Sequence, residues 1–239
     1  RTLNAVWRDG GLWFSLSFLP GPGPNFGEVT AGWARIDTSV PGEFSLDQSG
    51  VMGGEDIAPG TFTFFPSLAV NDDGGMIFGF SASSPDIHAG SYYTYRTPTD
   101  PTGTLRESIT IRPGLDYYER TFGGPDNRWG DYSSAALDPD GACFWIYNTY
   151  AIGRGNSSGG SEDGQWGTAF AQFCNNAPVG TDDDAVVNQG QTVSTLATGQ
   201  SSVVVNDTDP DESDTLVVTT TPIIGPNHAS AFSIADDGT

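Results

Sequence analysis

A fourteen-residue pattern recurs three times in this chain without a gap, and it constrains the fold more than any other feature. The copies begin at Leu3, Ser67 and Ser134. Each has alanine at its third position, an aliphatic residue at its fourth and Asp-Gly at its seventh and eighth, followed by aromatic residues. Because Asp-Gly between two apolar runs favours a tight turn with positive φ, each copy predicts a β-hairpin. A repeat of this kind indicates one structural unit used several times.

Strand-like segments follow each hairpin and extend the repeated unit. They are separated by Gly-, Pro- and Ser-rich connections and occupy residues 31–37, 43–51, 92–97, 105–112 and 166–174. Three or four strands per unit are typical of a β-propeller blade, where the alanines of an inner hairpin would lie between crowded neighbouring blades. The copies are further apart than the roughly 40–50 residues of known blade repeats, so we assign the excess to loops. A β-sandwich with chance Asp-Gly hairpins is the alternative.

The composition also indicates an all-β chain. The 239 residues include 32 Gly and 16 Pro, and no segment combines a helical apolar stripe with capping residues. No apolar run approaches the roughly 20 residues of a membrane-spanning helix, so we expect no transmembrane segment. A propeller closes with about 4–8 blades, and the chain begins without Met and ends in a hairpin-like segment. We therefore expect a fragment of a larger polypeptide, with about three four-stranded blades of a partial β-propeller.

The charge balance excludes some partners and suggests others. The formal net charge is −21, from 30 carboxylates against nine arginines and no lysine. Because phosphate binding depends on cationic side chains, nucleic acid and anionic membrane surfaces are not expected as partners. The excess of Asp over Glu indicates turns and Ca²⁺ ligation. A saline habitat, where high charge keeps a protein soluble, is an equally open interpretation.

The only two cysteines predict a disulfide. Cys143 lies on the second strand of the third predicted hairpin, and Cys174 ends the next predicted strand. Adjacent strands would place the two residues within disulfide reach. A bridge would indicate an oxidising, extracellular setting. Two buried free thiols are the alternative.

The chain changes character after Cys174. Aromatic residues are frequent up to Phe173, whereas only Phe232 follows. Residues 175–181 have the composition of a linker, so we predict two domains, residues 1–175 and 176–239. Short strand candidates in the second domain, which suit the opening strands of an immunoglobulin-like sandwich, are residues 185–188, 192–196, 201–205 and 215–221.

Several segments of the second domain carry a family resemblance. Asn176-Ala-Pro178, the acidic run 182–184, the loop 205–211 and the strand candidate 214–219 resemble the cadherin-like tandem domains of large bacterial surface proteins and adhesins. The resemblance covers residues 176–239 and implies an incomplete cadherin-like or Ig-like β-sandwich in an extended chain. Upstream, residues 128–141 resemble the last blades of secreted bacterial propeller-like proteins. That second resemblance implies a fold and an extracellular setting but no activity.

Alternating carboxylates in the second domain predict a Ca²⁺ site. An Asp-x-Asp-x-Asp loop supplies the hard oxygen ligands that Ca²⁺ prefers, and the acidic linker would complete the site. An EF-hand is excluded because Glu212 occupies the position that requires Gly, and Val218 the position that requires Glu. A solvated acidic turn is the alternative. The predicted ligands are Asp182, Asp184, Asp207, Asp209, Asp211 and Asp214.

Two sets of side chains in the first domain could contact a glycan. Arg binds carboxylates in a bidentate manner and paired acids hydrolyse glycosides, so the first set suggests a glycoside-processing site; surface ion pairs are the alternative. The first set comprises Arg96, Arg106, Arg112, Arg120 and Arg128, with Tyr117, Tyr118 and Tyr132 and the acids Glu107, Asp116, Glu119 and Asp131 nearby. The second set would form a carbohydrate-stacking platform or pack between blades. It comprises Trp129, Trp145, Trp166, Tyr147 and Tyr150. Neither set gives a complete catalytic constellation, and we assign no catalytic or cofactor-binding residue.

These features together favour an extracellular structural or adhesive module of a large bacterial surface protein, stabilised by Ca²⁺. Its expected partners are a protein or glycan on a surface and other domains of the same polypeptide, with a homo-oligomer as a further option. The alternatives are a secreted propeller enzyme acting on glycans and a subunit of an extracellular filament, in which exposed strands pair with a neighbouring chain.

Overall fold

The computed structural model describes residues 2–130, 132–139, 141–174, 180–186, 188, 190–192, 194–209, 216–218, 233–235 and 237–239. The chain divides into two compact units, Arg1–Phe173 and Cys174–Thr239. The described residues form eleven strands in three antiparallel sheets and contain no helix. The predicted all-β fold class is therefore confirmed. No helix in the described part of the chain is long and apolar enough to cross a membrane.

The first sheet contains the first copy of the sequence pattern. Its strands pair in chain order and are β1 (Thr2–Arg8), β2 (Gly11–Phe18), β3 (Thr30–Asp37) and β4 (Ser45–Met52). Asp9 and Gly10 connect the paired residues Arg8 and Gly11 with φ angles of 45° and 69°. Both angles lie in the left-handed region, as a two-residue hairpin turn requires. The first predicted hairpin is confirmed.

The other two sheets contain the second and third copies. The second sheet also pairs in chain order and comprises β5 (Phe62–Val70), β6 (Met76–Ser83), β7 (Gly90–Arg96) and β8 (Ile109–Arg112). The third has the order β11-β10-β9 and comprises β9 (Ser134–Leu137), β10 (Cys143–Gly153) and β11 (Gln165–Cys174). Both predicted hairpins are confirmed, but their turns are longer than the first, because Val70 pairs with Met76 and Leu137 with Phe144.

Two apolar clusters lie on opposite faces of the second sheet. One contains Trp33 of the first sheet with Phe78 and Phe80 of β6. The other contains Ile77 of β6 with Phe144 of β10. Successive side chains of a strand point to opposite faces, so covering both faces buries nearly every residue of β6. The sheets therefore pack face to face in chain order, with the second sheet in the middle.

The first strands of the three sheets lie side by side. Asn4 of β1 donates a 3.2 Å hydrogen bond to Leu68 O of β5 and accepts one of 3.0 Å from Leu68 N. Ser133, which precedes β9, donates a 2.7 Å bond to Phe65 O of β5.

A disulfide links Cys143 of β10 and Cys174 of β11, as predicted.

The alanine position of the repeat is buried in only one copy. Ala69, in the middle sheet, is 4% exposed, whereas Ala5 and Ala136 are exposed. Ala5 points away from the second sheet because Val6, its neighbour on β1, packs into the first apolar cluster. The prediction that all three alanines lie between crowded units is therefore wrong for the two outer sheets.

The described residues of the second unit do not show the predicted strands. Residues 185, 186, 188, 192, 194–196 and 201–205 belong to no strand. Residues 203–206 form a turn, where Ser202 Oγ accepts a 3.3 Å bond from Val204 N. A Ser side chain that bonds to nearby backbone competes with strand pairing, so the strand prediction for residues 201–205 is wrong. Most of the candidate 215–221 lies outside the described residues.

Candidate functional site

Two long connections meet at one end of the third sheet. Because its strands are antiparallel, β9 begins, β10 ends and β11 begins at that end. Residues 113–133 lead from β8 into β9, and residues 154–164 connect β10 to β11. Loops held by a rigid sheet are frequent positions for binding residues.

An ion pair fixes the two connections to each other. Arg154 Nη2 donates a 3.0 Å hydrogen bond to Asp116 Oδ1, and Leu115 N donates a 2.8 Å bond to Ala151 O of β10. The Arg154 side chain lowers the pKa of Asp116 to about 2, with further hydrogen bonds from the Tyr117 and Arg154 backbone. Asp116 is therefore ionised at neutral pH.

Glu162 joins the same two connections a few residues further on. It is 7% exposed. The Thr121 hydroxyl donates a 2.5 Å bond to Glu162 Oε1, and Gly160 N donates one of 3.0 Å to the same oxygen. These bonds, the Thr121 bond most strongly, lower the pKa of Glu162 to about 2. The carboxylate thus holds the segment before β9 and the segment after β10 in one arrangement.

A cavity of about 540 Å³ opens beside these contacts. This volume lies within the usual range for small-molecule sites, about 300–1,000 Å³. We call it the aromatic pocket because six of its ten described lining residues are aromatic. The lining residues are Tyr118, Arg120, Phe122, Arg128, Trp129, Gly130, Tyr132, Tyr147, Thr149 and Trp166.

The inner wall of the aromatic pocket is anchored to the sheets. Trp129 Nε1 donates a 3.3 Å bond to Ser81 Oγ of β6, and Ser81 Oγ donates a 3.1 Å bond to Asn148 Oδ1 of β10. The Trp129 ring also meets the Tyr118 ring edge to face, with centroids 5.1 Å apart. This wall is consequently formed before any ligand binds.

The outer wall is exposed. Tyr132 is 81% exposed and Trp166 is 51% exposed. Phe122 is exposed as well, and the Arg120 guanidinium carbon lies 5.2 Å from its ring centroid. Large aromatic faces in water are costly unless a partner covers them, so this wall suits a ligand that stacks on rings.

Two guanidinium groups, those of Arg120 and Arg128, lie at this pocket. Burial raises the pKa of the Tyr118 phenol, whereas the charges of Arg120 and Arg128 act in the opposite direction. Both guanidinium groups are thus close enough to the phenol to influence it. Within the described part of the chain, no carboxylate lies within ion-pair distance of Arg120. Arg120 is therefore the guanidinium group of the pocket wall that is open to a ligand anion.

The five arginines of the predicted glycan site do not converge. Arg106 pairs with Asp100 at 3.0 Å, as the ion-pair alternative predicted. Arg96 is buried over the Trp33 ring, and Arg112 lies over Tyr150. The structure brings only Arg120 and Arg128 to the pocket.

The predicted stacking platform is also divided. Trp129, Trp166 and Tyr147 line the pocket, whereas Trp145 packs against Phe170 with centroids 6.3 Å apart. Sequence reasoning did not find Phe122, although the density of aromatic residues in the Gly-rich segment 117–132 was a usable signal.

The predicted Ca²⁺ ligands are only partly described. Thr181 N donates a 2.7 Å bond to Asp207 Oδ1, which brings the acidic linker to this carboxylate. No three His, Cys, Asp or Glu side chains gather as a metal site among the described residues. Asp211 and Asp214 lie outside them. The ligand set Asp182, Asp184, Asp207, Asp209, Asp211 and Asp214 therefore stays a prediction.

Comparisons with known protein families, with curated proteins and with solved structures found no match. The function is accordingly inferred from the geometry of the site.

Proposed function

We propose that this chain is an extracellular interaction module whose aromatic pocket binds carbohydrate. The supporting observation is a preformed cavity with exposed rings on one wall, Tyr132 and Trp166, and an anchored ring, Trp129, on the other. Sugar rings present apolar CH faces that stack on aromatic side chains, and hydroxyl groups that bond to phenols and guanidinium groups. The described lining supplies both kinds of contact.

The chemistry of the described lining favours binding over hydrolysis. It offers three phenols and two guanidinium groups but no carboxylate, whereas glycoside hydrolysis usually requires two carboxyl groups beside the scissile bond. Two carboxylates of the adjoining connections, Asp116 and Glu162, have pKa values of about 2 and accept hydrogen bonds, and Asp131 lies outside the described residues. A carboxylate that is ionised at neutral pH is a poor general acid.

The β-propeller-like arrangement is part of the proposal. It is supported by three antiparallel sheets that pack face to face in chain order, with their first strands side by side. The outer face of the first sheet carries apolar side chains such as Phe14, Leu16, Leu46 and Val51. A face of this kind suits a further sheet, from another domain of the polypeptide or from a second copy.

The setting of the module is proposed on two grounds. The disulfide fits an oxidising, extracellular compartment. The cadherin-like resemblance of residues 176–239 suits a Ca²⁺-stabilised domain of a bacterial surface protein involved in adhesion.

A glycan array followed by calorimetry tests the carbohydrate proposal. We expect the purified chain to bind at least one glycan class, and Trp166→Ala to weaken that binding roughly 3–10-fold through loss of one ring contact. Phe170→Ala is the matched control, because Phe170 is an exposed aromatic residue of the same strand outside the pocket.

Two outcomes would overturn the proposal. The first is an array without any bound glycan. The second is equal loss of binding in the Trp166 and Phe170 variants, which would place the contact elsewhere. Release of reducing ends from a bound glycan, lost on changing pocket residues, would identify the chain as a glycan-degrading enzyme instead.

A further inference from the structure

Arg120 differs from most other described arginines in its surroundings. Arg8, Arg35, Arg106 and Arg154 each pair with an Asp side chain. Such pairing is expected in a chain with 30 carboxylates and nine arginines. Arg120 lies instead over the Phe122 ring, beside Tyr118, at the wall of the aromatic pocket.

The surroundings of Arg120 favour an anion as its partner. The planar guanidinium group matches a carboxylate through two parallel hydrogen bonds. The aromatic walls lower the local dielectric constant, which strengthens a charge-assisted bond relative to one in open water. Arg128 also lines this pocket. The net charge of −21 repels anions from the chain as a whole, so an acidic ligand would be bound only where positive charge is concentrated.

We infer that the aromatic pocket selects acidic sugars, with Arg120 binding the carboxylate of a uronic acid while Trp166 and Tyr132 stack on its ring. This inference rests on the proposed carbohydrate-binding function. A sulphate ester is the competing anion; it lacks the planar two-oxygen edge that the guanidinium fork matches.

The test compares acidic sugars with neutral partners of the same shape. The probes are homotrimers of galacturonic, glucuronic and mannuronic acid, each beside its methyl ester, together with a sulphated galactose trimer. For the wild-type chain we expect at least one acid trimer to bind about 10-fold or more tighter than its ester, the usual effect of one charge-assisted hydrogen bond. No variant has to fold for this comparison.

Arginine variants then locate the selectivity. Arg120→Gln should abolish the preference for the acid and keep the affinity for the ester, which also shows that the variant folds. Arg120→Lys should retain part of the preference, because it keeps the charge but not the fork. Arg8→Gln is the matched control, since it removes one arginine from the first sheet and should leave both affinities unchanged.

The outcomes separate the two proposals. Equal binding of acids and esters, an unchanged preference in Arg120→Gln, or binding of the sulphated trimer alone would overturn the carboxylate assignment and leave carbohydrate binding in place. Absence of binding to any glycan, charged or neutral, would overturn both.

Discussion

The Thr121 hydroxyl and the Glu162 carboxylate, 41 positions apart in the sequence, form a 2.5 Å hydrogen bond. This bond connects the segment that enters β9, which lines the aromatic pocket, with the segment that leaves β10, which leads to the lining residue Trp166. The pocket therefore depends on a carboxylate that does not line it.

The ionisation of Glu162 should make the fold sensitive to acid. Its pKa is lowered from the ordinary 4.5 to about 2. A carboxylate with a lowered folded-state pKa stabilises the fold fully above its unfolded pKa, and this contribution is lost as the pH falls from about 4.5 through about 2. Glu162→Gln should lower the free energy of unfolding at pH 7. It should also make that free energy depend less on pH between about 4.5 and about 2.

Urea unfolding at a series of pH values between 7 and 2 measures this effect. Glu107→Gln removes an exposed glutamate that has no hydrogen bond to Thr121 and serves as the control. If the wild-type chain and Glu162→Gln lose stability in parallel over the acid range, the assigned role of Glu162 is wrong.

Close approach of the second and third sheets should make Gly79 intolerant of a side chain. A Cβ at this position would lie 2.5 Å from Ile146 Cγ2, on a β-branched side chain that is itself buried. We expect Gly79→Ala to destabilise the fold by roughly 1–3 kcal/mol. Gly153→Ala meets no atom within 4 Å, so it should change stability by less than about 0.5 kcal/mol. Equal thermal midpoints for the two variants would contradict the face-to-face packing.

The disulfide between Cys143 and Cys174 should contribute substantially to stability. Closing a loop of this length contributes about 3–4 kcal/mol in the chain-entropy description. The double variant Cys143→Ser, Cys174→Ser should therefore have a free energy of unfolding lower by about this amount, and its urea midpoint should fall accordingly. Non-reducing mass spectrometry checks the bridge directly. Alkylation of both thiols in the native protein without reductant would show that the bridge is absent.

The sequence predicts the hairpins well because their signal is local. Asp9-Gly10 supplies two residues that tolerate positive φ, and the flanking apolar runs supply the strands. Which face each side chain occupies is not local, because turn length and bulges change the register. The bulge between Phe64 and Ser67 and the longer turn after Val70 illustrate this. The alanines of the repeat also have different surroundings in the three copies, because, among the described residues, only the second sheet is covered on both faces.

The site is less predictable than the sheets. Arg120 and Trp166 line one pocket because residues 113–133 and 154–164 are held together at one end of the third sheet. Such convergence depends on long-range contacts, such as the bond between Trp129 and Ser81, that no local pattern encodes. The sequence did identify Arg and aromatic residues of the right type, but not which of them share a pocket.

Association with an acidic sugar should become faster as salt is added. The chain as a whole is strongly negative, whereas the pocket is lined by Arg120 and Arg128. Raising the ionic strength from about 0.01 M to 0.15 M shortens the Debye length from roughly 30 Å to 8 Å and screens the long-range repulsion. Stopped-flow fluorescence should show several-fold faster association for the acid trimer and little change for its ester. Slower association of the acid would contradict this charge distribution.

A crystal structure of the chain with the tightest-binding trimer tests carbohydrate binding most directly. The account predicts sugar density in the aromatic pocket, with a ring stacked on Trp166 or Tyr132 and no displacement of Trp129. Density on another surface, such as the apolar outer face of the first sheet, with the aromatic pocket empty, would contradict it.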